Sequence, residues 1–410
     1  MLKEHFKIRI RSVHVLAALF LLYIFYVGLA PLPQFLIHTG KTFQEELGSS
    51  YIQKINSQYE GMLSTEAQYP LLQNKGTYIH FNGLMAKTLR QPLMNDRVML
   101  KNGHLGRLVS EVSSQEAIRR AADNIIRFHN AHTAQGKNFL FVMAPSQISK
   151  YEDLLPPGYT DTTNADADAF LALLDDAGVP YLDLREELQA EGISVTDAYY
   201  VTDHHWTPQT GFWAYQKMVS KLEQMGAIAP VDPFYTDPEN FTFETHPDSF
   251  LGSSGKRTGK YYAGVDDSVL IRPNFETDIR ISVPERQLEL QGRFEDVAYN
   301  TEAVHNYADP DFFQENVYGL YGWGDTQITH WRNAPAPEQS RFLLIGESFG
   351  NIPFSLMSIV FGSCDEMDLR YYQEDFPDYY GSYQPDTVIV LVNVDNTLSE
   401  FTDEYGLSIH

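Results

Sequence analysis

Between residues 113 and 146, hydrophobic positions recur first at helical spacing and then as a short continuous run. The segment "SSQEAIRRAADNIIRFHNAHTAQGK" predicts an amphipathic helix, and "NFLFVMAPS" directly after it predicts a buried strand. The stretches "ADADAFLALLDDAG" and "VPYLDL" repeat this order, and "RFLLIGESFG" and "PDTVIVLVNVDN" add two apolar runs near the C-terminus. Such alternation is typical of parallel strands joined by crossover helices. We therefore predict an α/β fold, with a parallel sheet flanked by helices.

The pattern changes between about residues 229 and 339. Stretches such as "NFTFETH", "DIRISVP" and "QLELQGRFEDVAY" alternate apolar and polar residues and are separated by Pro, Gly and Asp. Period-two alternation with turn residues between the segments indicates half-buried antiparallel strands. We expect a β-rich insertion at 229–339 within one domain that spans 76–410.

The N-terminal region has a pattern of its own. Basic residues are frequent in "MLKEHFKIRIRS", and the apolar run "VHVLAALFLLYIFYVGLAPLP" follows, long enough to cross a bilayer as a helix. The basic flank predicts a cytoplasmic tail at 1–11, a transmembrane signal anchor at 12–33, a polar stalk at 34–75 and a domain outside the cell membrane. A cleaved signal peptide is the alternative, although Pro31 after Ala30 disfavours cleavage at that point.

Composition excludes several function classes. The chain of 410 residues carries 30 Lys and Arg against 54 Asp and Glu, a formal charge of −24, so nucleic acid is not an expected partner. Cys364 is the single cysteine, which excludes an intrachain disulfide, a structural zinc cluster and a CxxC redox site. We expect neither a cofactor nor a bound metal.

Candidate chemistry begins at "TDHHWTPQT". Thr207 and Pro208 are a strong helix start, because a hydroxyl caps the first turn and proline needs no hydrogen bond there. The loop before this helix carries Asp203, His204 and His205. If the loop is extended, Asp203 and His205 project to the same side and His204 points away.

Three interpretations of this loop stay open at this point. A carboxylate beside an imidazole can fix its tautomer and stabilise the imidazolium, as in a catalytic triad. A metal site needs further ligands, and the nearest His-x-x-His pair, His129 and His132, has no acidic partner at suitable spacing. A structural histidine pair without catalytic function is the third interpretation.

A candidate nucleophile changes this balance. In "RFLLIGESFGNIPFSLMSIVF" an apolar strand is followed by a glycine-containing turn and a helix, so Ser348 is expected at the carboxyl end of a strand and beside a helix N-terminus. Backbone N–H groups there can stabilise a developing oxyanion. A Gly-x-Ser turn alone is weak evidence, but together with an Asp-x-His loop it favours a hydrolase-type triad.

"DHHWT", followed much later by "GESFGN" and "DLRYY", resembles the DHHW-motif proteins. These are similar to the SGNH-hydrolase-like proteins of bacterial exopolysaccharide O-acetylation, the alginate O-acetyltransferase family, in which the Asp-x-His element precedes the serine. The resemblance covers about residues 76–410 and implies a triad of Asp203, His205 and Ser348. It also implies an oxyanion-hole asparagine, with Asn393 as the first candidate and Asn396 as the second.

Other residues are weaker candidates for substrate contacts. Lys256 and Arg257 lie in the glycine-rich "GSSGKRTGKYY" and could contact an anionic glycan or bind nearby carboxylates. Arg370 in "DLRYY" could orient the site or pair with Asp368. Glu347 departs from the family pattern, which usually has Asp before the nucleophile.

These observations predict a membrane-anchored, extracytoplasmic O-acyltransferase that acetylates a cell-surface polysaccharide. The resemblance implies that a separate multi-spanning membrane acyltransferase is the acyl donor. A carbohydrate esterase with the same triad, and a non-catalytic protein that binds or assembles surface glycans, are the alternatives.

Overall fold

The computed structural model describes residues 18–22, 25, 75–109 and 113–395. The chain divides into two compact units, 1–79 and 80–410, and the second contains the central sheet. The first unit is helical at residues 18–22 and 25, and a further helix begins in it at Lys75. Among all described residues, no helix combines the length and the apolar character that crossing a bilayer requires. The predicted tail, most of the predicted anchor and almost all of the predicted stalk lie outside the described residues.

Helices and strands are numbered here in chain order. The helices are α1 (Lys75–Thr88), α2 (Gln115–Thr133), α3 (Thr163–Asp176), α4 (Leu184–Glu191), α5 (Val195–Ala198), α6 (Pro208–Gln224), α7 (Ser253–Thr258), α8 (Lys260–Ala263), α9 (Phe294–Val297), α10 (Asn351–Val360) and α11 (Phe376–Tyr383). The strands are β1 (Leu93–Met94), β2 (Arg97–Met99), β3 (Leu105–Arg107), β4 (Asn138–Ala144), β5 (Tyr181–Asp183), β6 (Phe241–Phe250), β7 (Asp266–Pro273), β8 (Ile279–Val283), β9 (Leu288–Gly292), β10 (Ile328–Arg332), β11 (Glu338–Gly346), β12 (Phe361–Met367) and β13 (Thr387–Asn393).

The central sheet has eight strands in the order β5-β4-β13-β11-β12-β10-β8-β9. The five strands from β5 to β12 are parallel, and β10, β8 and β9 continue the sheet with antiparallel pairing. A three-stranded antiparallel sheet (β1-β2-β3) and a hairpin (β6-β7) lie outside it. The predicted α/β class with a large, mainly parallel central sheet is confirmed.

The predicted β-rich insertion contributes to this same sheet. β8, β9 and β10 fall within 229–339, and β10 pairs with β12 in a register that places His330 opposite Asp365. The alternating sequence pattern indicated antiparallel strands but not their partner, because strand pairing depends on residues distant in sequence.

The parallel strands β4 and β13 are buried on both faces, which explains their continuous apolar sequences. Along β4, Leu140 and Val142 enter one core cluster, whereas Phe139 and Phe141 enter the other. α6 and α10 cover the first face, and α2, α3 and α11 cover the second. The carboxyl ends of β4, β11 and β13 consequently meet at one edge, and this edge carries the candidate site.

Helix boundaries follow the capping signals in the sequence. The Ser114 side chain accepts a hydrogen bond from the Ala117 amide and begins α2, and Thr207 caps α6 through the Thr210 amide. Such a cap stabilises a helix by about 1 kcal/mol. The capped start of α6 fixes where the preceding Asp203–His205 loop ends.

Candidate active site

Ser348 is placed by a tight strand–turn–helix connection. β11 ends at Gly346, residues Ser348–Gly350 form one 3-10 turn, and α10 follows directly. A Cβ atom on Gly346 or Gly350 would lie 2.7 Å or 2.6 Å from the Phe354 ring, so neither position has room for a side chain. The glycines of "GESFG" therefore allow α10 to pack against the strand end, with Ser348 at the edge of the sheet.

The Asp203–His205 loop forms a compact turn rather than the extended segment assumed from the sequence. Asp203 Oδ1 accepts hydrogen bonds from the His205 backbone N–H at 3.0 Å and from His205 Nδ1 at 2.5 Å. This local carboxylate-to-backbone turn, and not strand alternation, brings the two side chains together. The expectation that His204 points away is wrong, because its ring centroid lies 3.8 Å from that of His205.

The structure brings the predicted base and nucleophile into hydrogen-bonding contact. His205 Nε2 lies 2.7 Å from Ser348 Oγ, although the two residues are 143 positions apart. Since the Asp203 carboxylate can only accept, His205 Nδ1 must donate to it, which leaves Nε2 to accept the Ser348 hydroxyl proton. The geometry is that of a nucleophile, its base and the group that orients the base.

The charge of Asp203 is stabilised despite its burial. The residue is 3% exposed, and the Ser253 backbone N–H at the start of α7 donates to Oδ2 at 2.5 Å. Burial alone would raise the pKa of this carboxyl, but His205, His204 and the hydrogen bonds outweigh burial and hold the pKa well below its ordinary value. Asp203 therefore stays ionised at neutral pH and can stabilise a protonated His205.

Two further side chains fix the backbone of this loop. Gln147, just after β4, donates its amide to the carbonyls of Tyr200 and Asp203, both at 2.8 Å. Asp266 at the start of β7 accepts from the amides of Val201 and Thr202 at 2.7 Å and 2.8 Å. The loop is thus tied both to the sheet edge and to the β6–β7 hairpin, which limits movement of the Asp203 carboxylate.

Aromatic rings surround His205. The Tyr318 ring is stacked on the imidazole, with centroids 3.7 Å apart and planes 8° from parallel. Phe349 lies 5.0 Å from the imidazole centroid, and the fully buried Trp206 packs on Phe349 at 5.2 Å. These contacts restrict ring rotation, so that Nε2 remains directed at the serine.

His204 has an environment distinct from that of His205. Its Nδ1 lies 2.9 Å from Ser253 Oγ, and its side chain is 39% exposed. Although part of the His204 ring reaches the surface, the protein atoms around it displace most of its solvation. This desolvation and the neighbouring His205 lower the pKa of His204 to about 3, so this imidazole is neutral at pH 7. The three side chains of 203–205 bring potential metal-ligand atoms within 4.8 Å. Protein donors already occupy both Asp203 oxygens, which favours proton transfer over metal binding.

Asn393 and Asn396 were the oxyanion-hole candidates. Asn393 is buried at the end of β13, where its Nδ2 donates to the Pro145 carbonyl and its backbone N–H donates to Glu347 Oε1 at 2.7 Å. These contacts join three strand ends at the site, and the oxyanion role of Asn393 stays a prediction. Asn396 lies outside the described residues.

The three basic candidates, Lys256, Arg257 and Arg370, have different surroundings. Lys256 donates to the Glu315 carbonyl at 2.6 Å, and burial lowers the pKa of its amine. Arg257 is exposed on α7. Arg370 pairs with Asp368 at 2.5 Å, and its guanidinium lies 3.9 Å from Glu347, the residue before the nucleophile.

Sequence reasoning missed Gly252, Ser253 and Tyr318. "GSSGKRTGK" was singled out for its cations, but its contribution to the site is the close approach of Gly252 and Ser253 to Asp203. A glycine followed by serines was the available signal for close backbone approach. Tyr318 had no comparable signal among 25 tyrosines.

Residues 106–244 match the family model described as the SGNH hydrolase-like domain of the acetyltransferase AlgX. This part of the chain is similar to the SGNH hydrolase-like domain of AlgX. Asp203 and His205 lie within the matched range, and Ser348 follows it. This match confirms the family resemblance and the SGNH-type enzyme class that the motifs predicted. No curated protein sequence matches the chain.

Solved structures with a similar fold include PatB1 of Bacillus cereus, with a TM-score of 0.62, 19% identity, and coverage of 76% of this chain and 100% of that chain. PatB1 with a sulfonyl adduct gives a TM-score of 0.61 at 18% identity, covering 75% and 98% of the two chains. A DHHW family protein from Eubacterium siraeum gives a TM-score of 0.58 at 16% identity, covering 77% of this chain and 97% of that chain. At these identities the likeness establishes the fold.

Proposed function

We propose that this protein is a membrane-anchored, extracytoplasmic O-acyltransferase that moves an acetyl group to a hydroxyl of a cell-surface polysaccharide. The observation that carries the proposal is the 2.7 Å contact of His205 Nε2 with Ser348 Oγ, with Asp203 bound to the opposite ring nitrogen. The match to the SGNH hydrolase-like domain of an acetyltransferase supports the choice of acyl transfer.

In the first half-reaction Ser348 Oγ attacks the acyl carbonyl of the donor while His205 Nε2 takes the hydroxyl proton. The tetrahedral intermediate collapses, the bond to the donor oxygen breaks, and His205 returns the proton to that oxygen. The acyl-serine remains. Buried, ionised Asp203 stabilises the imidazolium in each step without taking a proton itself.

In the second half-reaction a polysaccharide hydroxyl loses its proton to His205 and attacks the acyl-serine. The new ester leaves, and the serine regains the proton from His205. Water in place of the sugar would make the protein an esterase, so the excess of transfer over hydrolysis depends on acceptor binding. We assign oxyanion or substrate contacts to two asparagines and three basic residues: Asn393, Asn396, Lys256, Arg257 and Arg370.

The anchor and the acyl donor belong to the same proposal. An apolar run at 12–33 behind a basic tail would hold the domain outside the cytoplasmic membrane, beside a multi-spanning membrane acyltransferase that supplies the acetyl group. The acidic chain, with a formal charge of −24, is compatible with an uncharged or weakly charged glycan acceptor.

Full-length protein in detergent tests the proposal with an activated acetyl ester, with and without oligosaccharide. We expect acetylated oligosaccharide and an acetyl group on the Ser348 peptide by mass spectrometry. Free acetate without acetylated sugar would indicate the esterase, and no acylation of Ser348 would favour the glycan-binding alternative.

Covalent modification by a sulfonyl fluoride is a second test of whether Ser348 is the nucleophile. PatB1, which has a similar fold, has been solved with a sulfonyl adduct. We expect the reagent to modify Ser348 in this protein and to stop ester turnover. Ser382→Ala, which removes an exposed serine of α11, is the matched control and should be modified at the same rate as the unchanged protein.

A further inference from the structure

A polar cavity lies against the turn that carries Ser348. Its volume is about 220 Å³, including the space at its mouth, and residues 324–326, 346–347, 351 and 366–368 line it. β11 ends at Gly346, just before the nucleophile, and β12 ends at Met367. The cavity therefore lies at the carboxyl ends of two parallel strands, where α/β sheets bind their ligands.

Asn351, at the start of α10, presents an unused amide to this cavity. The residue is 4% exposed and lines the cavity. Its side chain forms no hydrogen bond with any described residue, yet neither amide atom is sealed in the core. Buried polar groups are almost always hydrogen-bonded, so an open amide of this kind indicates a bound molecule as its partner.

Glu366 on β12 adds a second polar group to the cavity wall. The residue is 8% exposed, and burial raises the pKa of its carboxyl to about 8, so it is protonated at pH 7. Oε2 accepts a hydrogen bond from Trp331 Nε1 at 3.2 Å, and Oε1 has no partner among the residues that the structure describes. A protonated carboxyl and an amide can each donate and accept, which matches the hydroxyl groups of a sugar.

The loop before β10 closes the cavity on one side. A Cβ on Gly322 would lie 3.3 Å from the Asn351 carbonyl oxygen and 3.6 Å from Glu366 Oε2, so the loop backbone passes close to both residues. Trp323 has a φ of 70°, which is costly for a bulky side chain, and its Nε1 donates to the Val297 carbonyl at 2.8 Å. The surrounding contacts thus hold the loop in one shape, and the cavity is formed before a ligand arrives.

The charge of the cavity restricts what it can bind. Asp325, Asp368 and Glu347 bring three carboxyl groups to it, in addition to the protonated Glu366. No Lys or Arg is among the described residues that line it, and the guanidinium of Arg370 pairs with Asp368 at 2.5 Å. The acidic groups outnumber this cation, so a carboxylate or phosphate on a ligand would be repelled, whereas an uncharged ring would not.

We propose that this cavity binds an uncharged sugar ring of the acceptor polysaccharide, with the Asn351 amide and the Glu366 carboxyl bonded to its hydroxyl groups. The inference rests on the proposed acyltransferase function and deepens it by naming the class of acceptor. A ring held here lies against the Ser348 turn, so a nearby hydroxyl of the same chain can reach the acyl-serine. The bound sugar also excludes water from the acyl-serine, which favours transfer over hydrolysis.

Oligosaccharide binding to full-length Ser348→Ala protein in detergent tests the proposal without turnover. The neutral probes are cellotetraose, mannotetraose and chitotetraose, and isothermal titration calorimetry measures Kd. We expect at least one probe to bind and its Kd to rise about tenfold when Asn351→Ala is added. Asn130→Ala, which removes an exposed asparagine of α2, is the matched control and should leave Kd unchanged.

Charge exclusion is tested with the same tetrasaccharide after its C6 hydroxyl groups have been oxidised to carboxylates. We expect this form to bind at least tenfold more weakly than the neutral form. Asp325→Asn should narrow the difference by up to about fivefold. The Asp325 side chain is 40% exposed, so this variant tests the charge argument whether or not Asn351→Ala folds.

An unchanged Kd in folded Asn351→Ala protein would overturn the proposal. Equal binding of the neutral and oxidised tetrasaccharides, or no binding of any neutral probe, would overturn it too. In protein that retains Ser348, Asn351→Ala should also lower the ratio of acetylated sugar to free acetate about tenfold, since both products come from the same acyl-serine. Protein that never acylates Ser348 would instead refute the proposed function, and the Kd comparison would still decide whether the cavity binds a neutral sugar.

Discussion

Gly252→Ala is the most informative perturbation of the site, because it moves the triad carboxylate without removing a functional group. A Cβ at this position would lie 2.2 Å from Asp203 Cβ and 2.6 Å from Asp203 Oδ2. The backbone of Gly252 has φ −68° and ψ 178°, which alanine adopts without strain, so the effect is purely steric. Asp203 must retreat by about 0.8 Å before the contact reaches even 3.0 Å, the shortest distance that real Cβ atoms tolerate.

That retreat weakens the Asp203–His205 hydrogen bond and tilts the imidazole away from Ser348. A misplacement near 1 Å costs about 10²-fold in rate, and loss of the carboxylate altogether costs about 10⁴-fold. We therefore expect kcat for a small acetyl ester to fall about a hundredfold, with a stability loss of about 1–3 kcal/mol from overpacking.

The assay is steady-state ester turnover, measured beside thermal unfolding. Gly381→Ala is the matched control, since its Cβ would meet nothing within 4 Å, and α11 should gain about 0.5–1 kcal/mol. A folded Gly252→Ala protein with kcat within a few-fold of the unchanged enzyme would refute the reasoning, because Asp203 would then not need to hold His205 in place.

Three further predictions concern the triad and its surroundings. Ser348→Ala and His205→Ala should each lower kcat by about 10⁴-fold or more, and the double variant should be no worse than either single one, as steady-state kinetics can show. His204→Ala should lose less than about tenfold in kcat, because this imidazole has a pKa near 3 and contacts Ser253 rather than the nucleophile; an equal loss would mean that His204 is the base. Burial raises the pKa of Glu366 to about 8 from an ordinary value of 4.5. Between these two pH values the folded state therefore holds a proton that the unfolded state releases. The free energy of unfolding consequently falls as pH rises from about 4.5 to about 8. Glu366→Gln should abolish this fall, up to about 1.4 kcal/mol per pH unit in denaturant titrations, and an unchanged slope would contradict it.

Much of the fold follows from local sequence signals. The helix starts at Ser114 and Thr207 were readable as caps, and the apolar runs of β4, β11 and β13 were readable as buried strands. The attachment of β8, β9 and β10 to the central sheet was not, since an alternating pattern shows which face of a strand is buried but not its neighbour.

The sequence by itself determined the residue types of the triad and their order along the chain, because an acid, an imidazole and an alcohol at marked loop positions can be identified locally. The sequence also favoured His205 over His204 as the base. Only the tertiary structure decided that a compact turn brings His205 to Ser348. It also decided which residues enclose the pair, namely Gly252, Ser253 and Tyr318. The reason is geometric. A proton transfer depends on distances of tenths of an ångström, and these arise from packing among segments more than a hundred residues apart, such as β11 and the loop before α6.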